Sequence, residues 1–408
     1  MKIGLVGLGH VGVVTACILA SRGHIVLGVD TDSKVIEGLN SSKIQFSEPG
    51  LDNLLNENKI RLSFSTSYEI LREVQMVFIT VSTPTKGGNI ELHYLLDAAL
   101  SIKNANSECI IVIKSTVTPG TAQDISELTG MTIVSNPEFT REGNALNDTI
   151  YPDRIVIGGQ LPESEIVAKI WEFTGAPIIL TTNENAELIK YASNVFLATK
   201  ISFINEIANL CENISGADVK VVARGIGLDK RIGNKFLDAG LGYGGPCLSK
   251  DALAFSSYAK SKGVRLKIVE SAISVNEDRV SHAINFISKG LIGNTQDAKV
   301  CLLGISYKSN TDDLRDSQSI KLLEELRLNF KTIYVFDPKS KIDIQGVEFE
   351  EEISSCIEKS DIIVIATEWS EFSEISPISA KGKRIFDLRR ILEPDQYENY
   401  RGIGFGSR

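Results

Sequence analysis

Short apolar runs pace the first third of the chain: KIGLVG, HIVLGVD, QMVFITV, CIIVIKST and MTIVSNP. They are rich in Val and Ile, of strand length, and separated in several places by helical patterns such as VVTACILASRG. Continuous β-branched runs of this kind are strands buried on both faces. Their alternation with helices is the rhythm of a parallel sheet covered on both sides. The first half of the chain is therefore α/β.

Near residue 182 the period changes. TTNENAELIKYASNVFLATKISFINEIANLCENISG places apolar side chains at Leu188, Tyr191, Val195, Phe196, Phe203, Ile204, Ile207 and Cys211. Thr182 or Asn183 can cap the start and Gly216 the end. A helix of about 32 residues would run about 48 Å, long enough to link two lobes and offer a dimerisation face. Strands return from about Asp297 as KVCLLGISY, TIYVFDP, DIIVIATEW and RIFDLR, with SQSIKLLEELRLN and EISSCIEKS as helices. GLIGNTQDA reads as the linker. The expected divisions are 1–181, 182–293 and 294–408: an α/β domain, a central helical domain, and a second α/β domain.

The chain has 408 residues, 43% of them hydrophobic, 23% charged, with net charge −9. That balance suits a soluble globular protein and disfavours nucleic-acid binding, which needs a basic face. No apolar run is long enough for a membrane span, and the opening MKIGLVGLGHVG reads as strand and turn rather than signal peptide. The six cysteines (Cys17, Cys109, Cys211, Cys247, Cys301 and Cys356) show no zinc spacing and no disulfide framework, which fits a reducing cytoplasm. Five lie in apolar surroundings typical of inert core thiols. Cys247 alone lies in a glycine loop, GLGYGGPCLSKD.

GLGHVG supplies Gly7, Gly9 and Gly12 as G-x-G-x-x-G between strand and helix, where the glycines allow the turn, the approach of pyrophosphate and close packing. The helix N-terminus faces the phosphates. Asp30 ends the next strand, placed to accept ribose hydroxyls, and no arginine follows it directly, which favours NAD over NADP. In the third region Lys308 and Arg315, in SYKSNTDDLRDS, suit either an anionic ligand or a solvated turn. Lys190 and Asn194 share one helix face, either as its solvent side or as part of a site. Glu138 and Glu142, flanking Arg141 in NPEFTREG, are either an acid–base pair or surface charge.

Taken in order, GLGHVG, VSTPT, KSTVTPGT, NPEFTREG, ELIKYASNVFLATKISFINE, RIGNKFLDAGLGYGGPCLSKD and GISYKSNTDDLRDS resemble the UDP-glucose/GDP-mannose dehydrogenase family over essentially the whole chain. The resemblance implies two Rossmann-like α/β domains joined by a central helical domain with a long helix, an NAD cofactor and a UDP-sugar substrate. It also implies a cytoplasmic homodimer or higher homo-oligomer. The implied reaction is a four-electron oxidation of a sugar C6 alcohol to a carboxylate, consuming two NAD. Cys247 is the implied nucleophile, with Lys190, Asn194 and Asp251 around the reacting oxygen and water, and Thr116 and Glu138 nearby. Cofactor contacts are expected from Gly7, Gly9, Val11, Gly12, Asp30, Lys34, Thr83, Thr116, Glu142, Lys250 and Arg315. Substrate contacts are expected from Glu138, Phe139, Arg141, Glu142, Lys190, Asn194, Phe236, Leu237, Gly240, Tyr243, Gly244, Lys308 and Arg389. Arg231 is expected to reach the partner subunit's substrate. No metal is expected.

The chemistry wants these residues. A thiolate that captures a reactive aldehyde forms a thiohemiacetal, which loses a second hydride to become a thioester and is then hydrolysed. An ammonium and an amide stabilise the oxyanions. SKDALAFSSYAKSKG reads as a helix with Cys247 at its N-terminus, where the dipole lowers a thiol pKa and Asp251 falls one turn on. The glycines around Cys247 are expected to let sugar and nicotinamide reach the sulfur. The chain departs from the family in Pro246, Ser249 and Thr140. The retained REG and SKD favour UDP-glucose over UDP-N-acetylmannosamine or GDP-mannose. A two-electron hydroxyacid dehydrogenase would need neither Cys247 nor a third domain. A non-catalytic NAD sensor would tolerate loss of Lys190, Cys247 and Asp251. A zinc alcohol dehydrogenase lacks its ligand spacing here.

Overall fold

The Val- and Ile-rich runs all form strands. The computed structural model describes residues 1–291 and 296–406. In it the first five runs become Lys2–Val6, Ile25–Val29, Met76–Ile79, Ile110–Ile113 and Ile133–Ser135. With Leu62–Ser65, Ile155–Gly158 and Ile178–Thr181 they build an eight-stranded sheet. All its pairings are parallel except the one between Ile133–Ser135 and Ile155–Gly158. Lys2–Val6 pairs with Ile25–Val29 on one side and Met76–Ile79 on the other. The strand order therefore reverses at Lys2–Val6, and the glycine turn that follows sits at this switch point, where open α/β sheets bind ligands.

Burial on both faces follows from the alternation of side chains. Met76 and Phe78 pack with Ile3, Leu5, Leu19 and Trp171 on one face. Val77 and Ile79 pack with Leu95, Ile111 and Ile113 on the other. A second sheet repeats the plan with six strands, all parallel. Lys299–Leu303 lies between Thr332–Phe336 and Ile362–Ile365, and Val347–Phe349, Arg384–Asp387 and Tyr400–Gly402 complete it. Val300 and Leu302 enter one core, Cys301 and Leu303 the other.

The long helix runs from Asn183 to Cys211, 29 residues, with the Thr182 hydroxyl accepting from the Asn185 amide at 3.3 Å. It ends before Gly216 because Asn213 and Ile214 donate to carbonyls only three residues back, a tightened turn that closes a helix. Further helices follow, among them Val219–Gly227, Leu248–Ser261, Lys267–Glu277 and Arg279–Lys289. The chain divides into two compact units, Met1–Ser193 and Asn194–Arg408, and the division falls within the long helix. The architecture is two Rossmann-like α/β regions with a helical region between them in sequence. Residues 292–295, part of the linker GLIGNTQDA and spanning the expected 293/294 boundary, lie outside the described residues.

Two cysteines depart from expectation. Cys301 and Cys356, read as inert core thiols, are joined as a disulfide across 55 residues of sequence. A parallel sheet returns its covering helix to the strand, so sequence distance carried no sign of the pairing. The inert reading holds for the others: burial pushes the Cys17 thiol up to about 12 and Cys109 to about 11, and raises Cys211. Among the described residues no helix is long and apolar enough to cross a membrane, and no cluster of His, Cys, Asp and Glu is arranged to hold a metal ion.

Candidate active site

In the unit Met1–Ser193 the fingerprint turn is built for a ligand. A Cβ on Gly12 would lie 2.0 Å from the Gly7 carbonyl oxygen, so only glycine lets the helix His10–Ser21 pack this tightly. A Cβ on Gly9 would meet nothing within 4 Å. Gly9 is also the helix N-cap and offers no side chain to the first-turn amides. That open space, with unsatisfied amides facing it and Val11 in the first turn, fits a pyrophosphate. The Asp30 carboxylate accepts from the amides of Leu8 at 2.6 Å and Asp32 at 3.0 Å, which fixes its position at the strand end. Lys34 lies exposed in the first turn of the next helix, Ser33–Asn40. The residues fit a dinucleotide.

The two threonine-rich loops are tied together. The Thr83 hydroxyl donates to the Thr116 carbonyl at 2.8 Å, and the Ser115 hydroxyl to the Val81 carbonyl at 2.7 Å. Beside them lies a nearly buried ion pair. Lys190 Nζ is 2.8 Å from Glu138 Oε1 and donates to the Glu138 carbonyl at 2.7 Å. Thr140 donates to Glu138 Oε2 from both its amide and its hydroxyl at 2.6 Å. Burial works to raise Glu138, but the Lys190 charge and these hydrogen bonds outweigh it and hold the carboxyl down at about 2. So acidic a carboxyl is a poor proton acceptor near neutrality. Of the two sequence readings of Glu138, acid–base group or surface charge, the second does not hold: the side chain is 11% exposed and paired with Lys190.

Phe139 packs under the Arg154 guanidinium, 3.8 Å from the ring centroid, with Lys190 Nζ at 5.4 Å. Arg154 also donates to the Ser193 hydroxyl at 3.1 Å. Arg141 is exposed and held by Asp148 through three hydrogen bonds, two from its guanidinium at 2.6 and 2.9 Å and one from its amide at 3.0 Å. Glu142 lies in the following turn, half-buried.

In the unit Asn194–Arg408, Cys247 is exposed and is the N-cap of the helix Leu248–Ser261. The Asp251 amide donates to the Cys247 carbonyl at 2.9 Å, which puts Asp251 one turn on. Its carboxylate is 1% exposed, accepts from the Asn194 amide group at 2.6 Å and lies 2.7 Å from Lys250 Nζ. Cys247 thus occupies a position where a helix N-terminus favours negative charge, one turn before a carboxylate paired with Lys250.

The glycine loop has a nearer reason for its glycines than ligand access. A Cβ on Gly245 would meet the Tyr307 ring at 2.5 Å, and one on Gly244 the Asp316 carbonyl oxygen at 2.4 Å. The loop is pressed against its own unit, which alone demands glycine. Gly240 donates to Asn205 at 2.8 Å, its carbonyl accepts from the buried Arg279 at 3.0 Å, and Arg389 lies beside it. Arg389 is mostly buried and donates to the Ala366 carbonyl at 2.7 Å. Tyr243 is buried, its phenol pushed up to about 12 by burial. Leu237 sits in the core with Ile204 and Val219, so its side chain packs, and Phe236 before it has a positive φ of 63°. Lys308 lies over the Tyr307 ring. Arg231 and Arg315 are exposed and each grips a local carboxylate, Asp229 and Asp313, at 2.6 and 2.5 Å.

Several residues escaped the sequence reading. Lys114 is buried 4.7 Å from the Trp171 ring, and burial pushes its ammonium down to about 8, with Glu138 opposing and Lys190 reinforcing. Buried Glu48 accepts from the amides of Gly143 at 2.9 Å and Leu146 at 3.2 Å and pairs with His10 at 2.9 Å, joining the fingerprint helix to the REG loop. Only the position of Lys114, just before Ser115 at a strand end, was a signal in the sequence.

Comparison with known proteins agrees along the chain. Residues 1–173 match the UDP-glucose/GDP-mannose dehydrogenase family NAD binding domain, 184–278 its central domain and 301–394 its UDP binding domain. UDP-glucose 6-dehydrogenase of Rickettsia bellii is 41% identical, covering 99% of this chain and 98% of that protein. The Rhizobium meliloti enzyme of the same name is 37% identical, covering 97% of each. A UDP-glucose dehydrogenase structure from Pyrobaculum islandicum superposes with TM-score 0.93 at 34% identity, covering 99% of this chain and 98% of that one. A UDP-D-ManNAc dehydrogenase structure from Pyrococcus horikoshii gives 0.89 at 28%, covering 99% of each. The chain is an NAD-dependent dehydrogenase and belongs to the UDP-glucose/GDP-mannose dehydrogenase family.

Proposed function

We propose that this enzyme oxidises the C6 alcohol of UDP-glucose to the carboxylate of UDP-glucuronate in two oxidations, with Cys247 holding the carbon between them. The observation that carries the reading is the placement of Cys247 as an exposed helix N-cap, one turn before a buried Asp251 bonded to Asn194. NAD held at the Gly7–Gly12 turn and Asp30 would supply the hydride acceptor, one NAD for each of the two oxidations. In the first, the alcohol gives up its hydroxyl proton to an ordered water. Lys190, pinned by Glu138, stabilises the developing oxyanion. The Cys247 thiolate then forms a carbon–sulfur bond to the aldehyde, and Asn194, one turn from Lys190 on the same helix, donates to the alkoxide. Loss of the second hydride leaves a thioester. Water adds to it, with Asp251 orienting that water, and the carbon–sulfur bond breaks to return the thiolate.

We assign residues 1–181 to NAD, 182–293 to the central helical domain and 294–408 to the UDP-sugar, with Lys308 and Arg389 as its cationic contacts. Cofactor contacts fall to Thr83, Thr116, Glu142, Lys250 and Arg315. We assign the enzyme to the cytoplasm and to a homodimer or higher homo-oligomer, in which Arg231 serves the neighbouring subunit's substrate. A panel of UDP-glucose, UDP-N-acetylmannosamine, UDP-galactose and GDP-mannose, with reduced cofactor counted, tests the reading. Two NADH per UDP-glucose is expected. One per substrate points to a two-electron dehydrogenase, and preference for another nucleotide sugar moves the specificity while keeping the chemistry.

A further inference from the structure

Glu187 lies one turn before Lys190 on the long helix and is 3% exposed. A carboxylate is buried at a cost of several kcal/mol unless it is hydrogen-bonded. Here Oε2 accepts from the Gly120 amide at 2.7 Å and Oε1 from the Ala122 amide at 2.9 Å, with the Ser135 hydroxyl 3.5 Å from Oε1. Gly120 is the N-cap of the helix Thr121–Thr129 and brings no side chain to its own first turn. Glu187 therefore supplies that cap from a different helix. The loop leading into the capped helix carries Thr116, whose carbonyl is held in turn by Thr83. Ser115, Thr116, Ser135, Glu187 and Lys190 line one small pocket.

We propose that Glu187 is a positioning residue of the oxidation: by capping the helix Thr121–Thr129 from the long helix, it holds Thr116 at a set distance from Lys190. The inference rests on the reading above, in which Thr116 and Lys190 serve the reacting centre. A carboxylate suits the task because both of its oxygens accept. In a glutamine one of the two would be an NH2 group, turned donor-to-donor against an amide.

The test is a double-mutant cycle on kcat with UDP-glucose and NAD at about pH 8.5, where a carboxyl raised by burial to about 7 is charged. E187Q alone is expected to lower kcat about tenfold while KM for UDP-glucose stays within about twofold. Introduced into T116A, which is itself impaired, the same change should cost less than about twofold, because the residue it positions is already gone. An undiminished tenfold effect in the T116A background, or a loss expressed only in KM, overturns the inference. A T116A enzyme with normal kcat overturns the reading on which the inference rests, and the inference with it. E187D keeps the charge but withdraws it by one methylene; it carries the same cycle if E187Q does not fold.

Discussion

Cys247 and Lys190 illustrate how a side chain's neighbours decide its chemistry. A thiol becomes a nucleophile only as the thiolate, and an exposed N-cap position offers the helix amides that favour one. Three cysteines in this chain are buried with raised thiols and lack that chance. Cys247→Ser keeps the fold and most of the volume but replaces the nucleophile with a hydroxyl of far higher pKa. UDP-glucuronate formation should fall by on the order of 10³-fold or more, leaving an aldehyde-level or covalently trapped species detectable by mass spectrometry. Unchanged turnover would remove the cysteine from the mechanism. Lys190 shows the complementary case: Glu138, itself bonded by Thr140, fixes where its ammonium points.

At the scale of elements, the long helix carries a second message besides Lys190 and Asn194. Phe196, Phe203 and Leu210 recur at heptad spacing and are 65%, 49% and 57% exposed. Val221 and Leu228 add exposed apolar surface, at 68% and 77%, on the helix Val219–Gly227 and just beyond it. A heptad stripe of large apolar side chains on one helix is the seam by which helices pair. Phe203→Glu puts a charge into that stripe, and a charge buried at an interface costs several kcal/mol. Sedimentation should show wild type as a dimer or larger and the variant shifted towards monomer. An unmoved sedimentation coefficient would place the subunit contact elsewhere.

For the molecule as a whole, two buried carboxyls set opposite limits on pH stability. Glu138 is held at about 2, against 4.5 for an unperturbed glutamate, so its contribution is present above pH 4.5 and is lost as pH falls towards 2. Glu187 is raised to about 7, chiefly by burial and against its capping hydrogen bonds, with Glu184 adding to the rise. Its contribution is full below pH 4.5 and is lost as pH rises through 7. Each of these departures corresponds to on the order of 3 kcal/mol. Between pH 5 and about 7.5 the thermal midpoint of wild type should fall more than that of E187Q, whose side chain does not titrate. Parallel curves for the two proteins would show that Glu187 does not ionise in this range.

Local pattern was enough for much of this protein. The longer Val- and Ile-rich runs read as buried strands, GLGHVG as a tight strand-to-helix turn, and SKDALAFSSYAKSKG as a helix behind Cys247. All of these lie within a few residues of their cause. Some strands were not legible. LSFS, IILT, VEF and YRG are short and at or near sheet edges, where polar residues are tolerated, and IVIG is too short for periodicity to separate strand from helix. What only the tertiary structure decided are the pairings across long stretches of chain: Glu138 with Lys190, Glu187 with the Gly120 and Ala122 amides, Glu48 with the REG loop, and Cys301 with Cys356. A parallel sheet inserts a helix between successive strands. Residues that meet at its strand ends are therefore distant in sequence, and no local spacing can announce them.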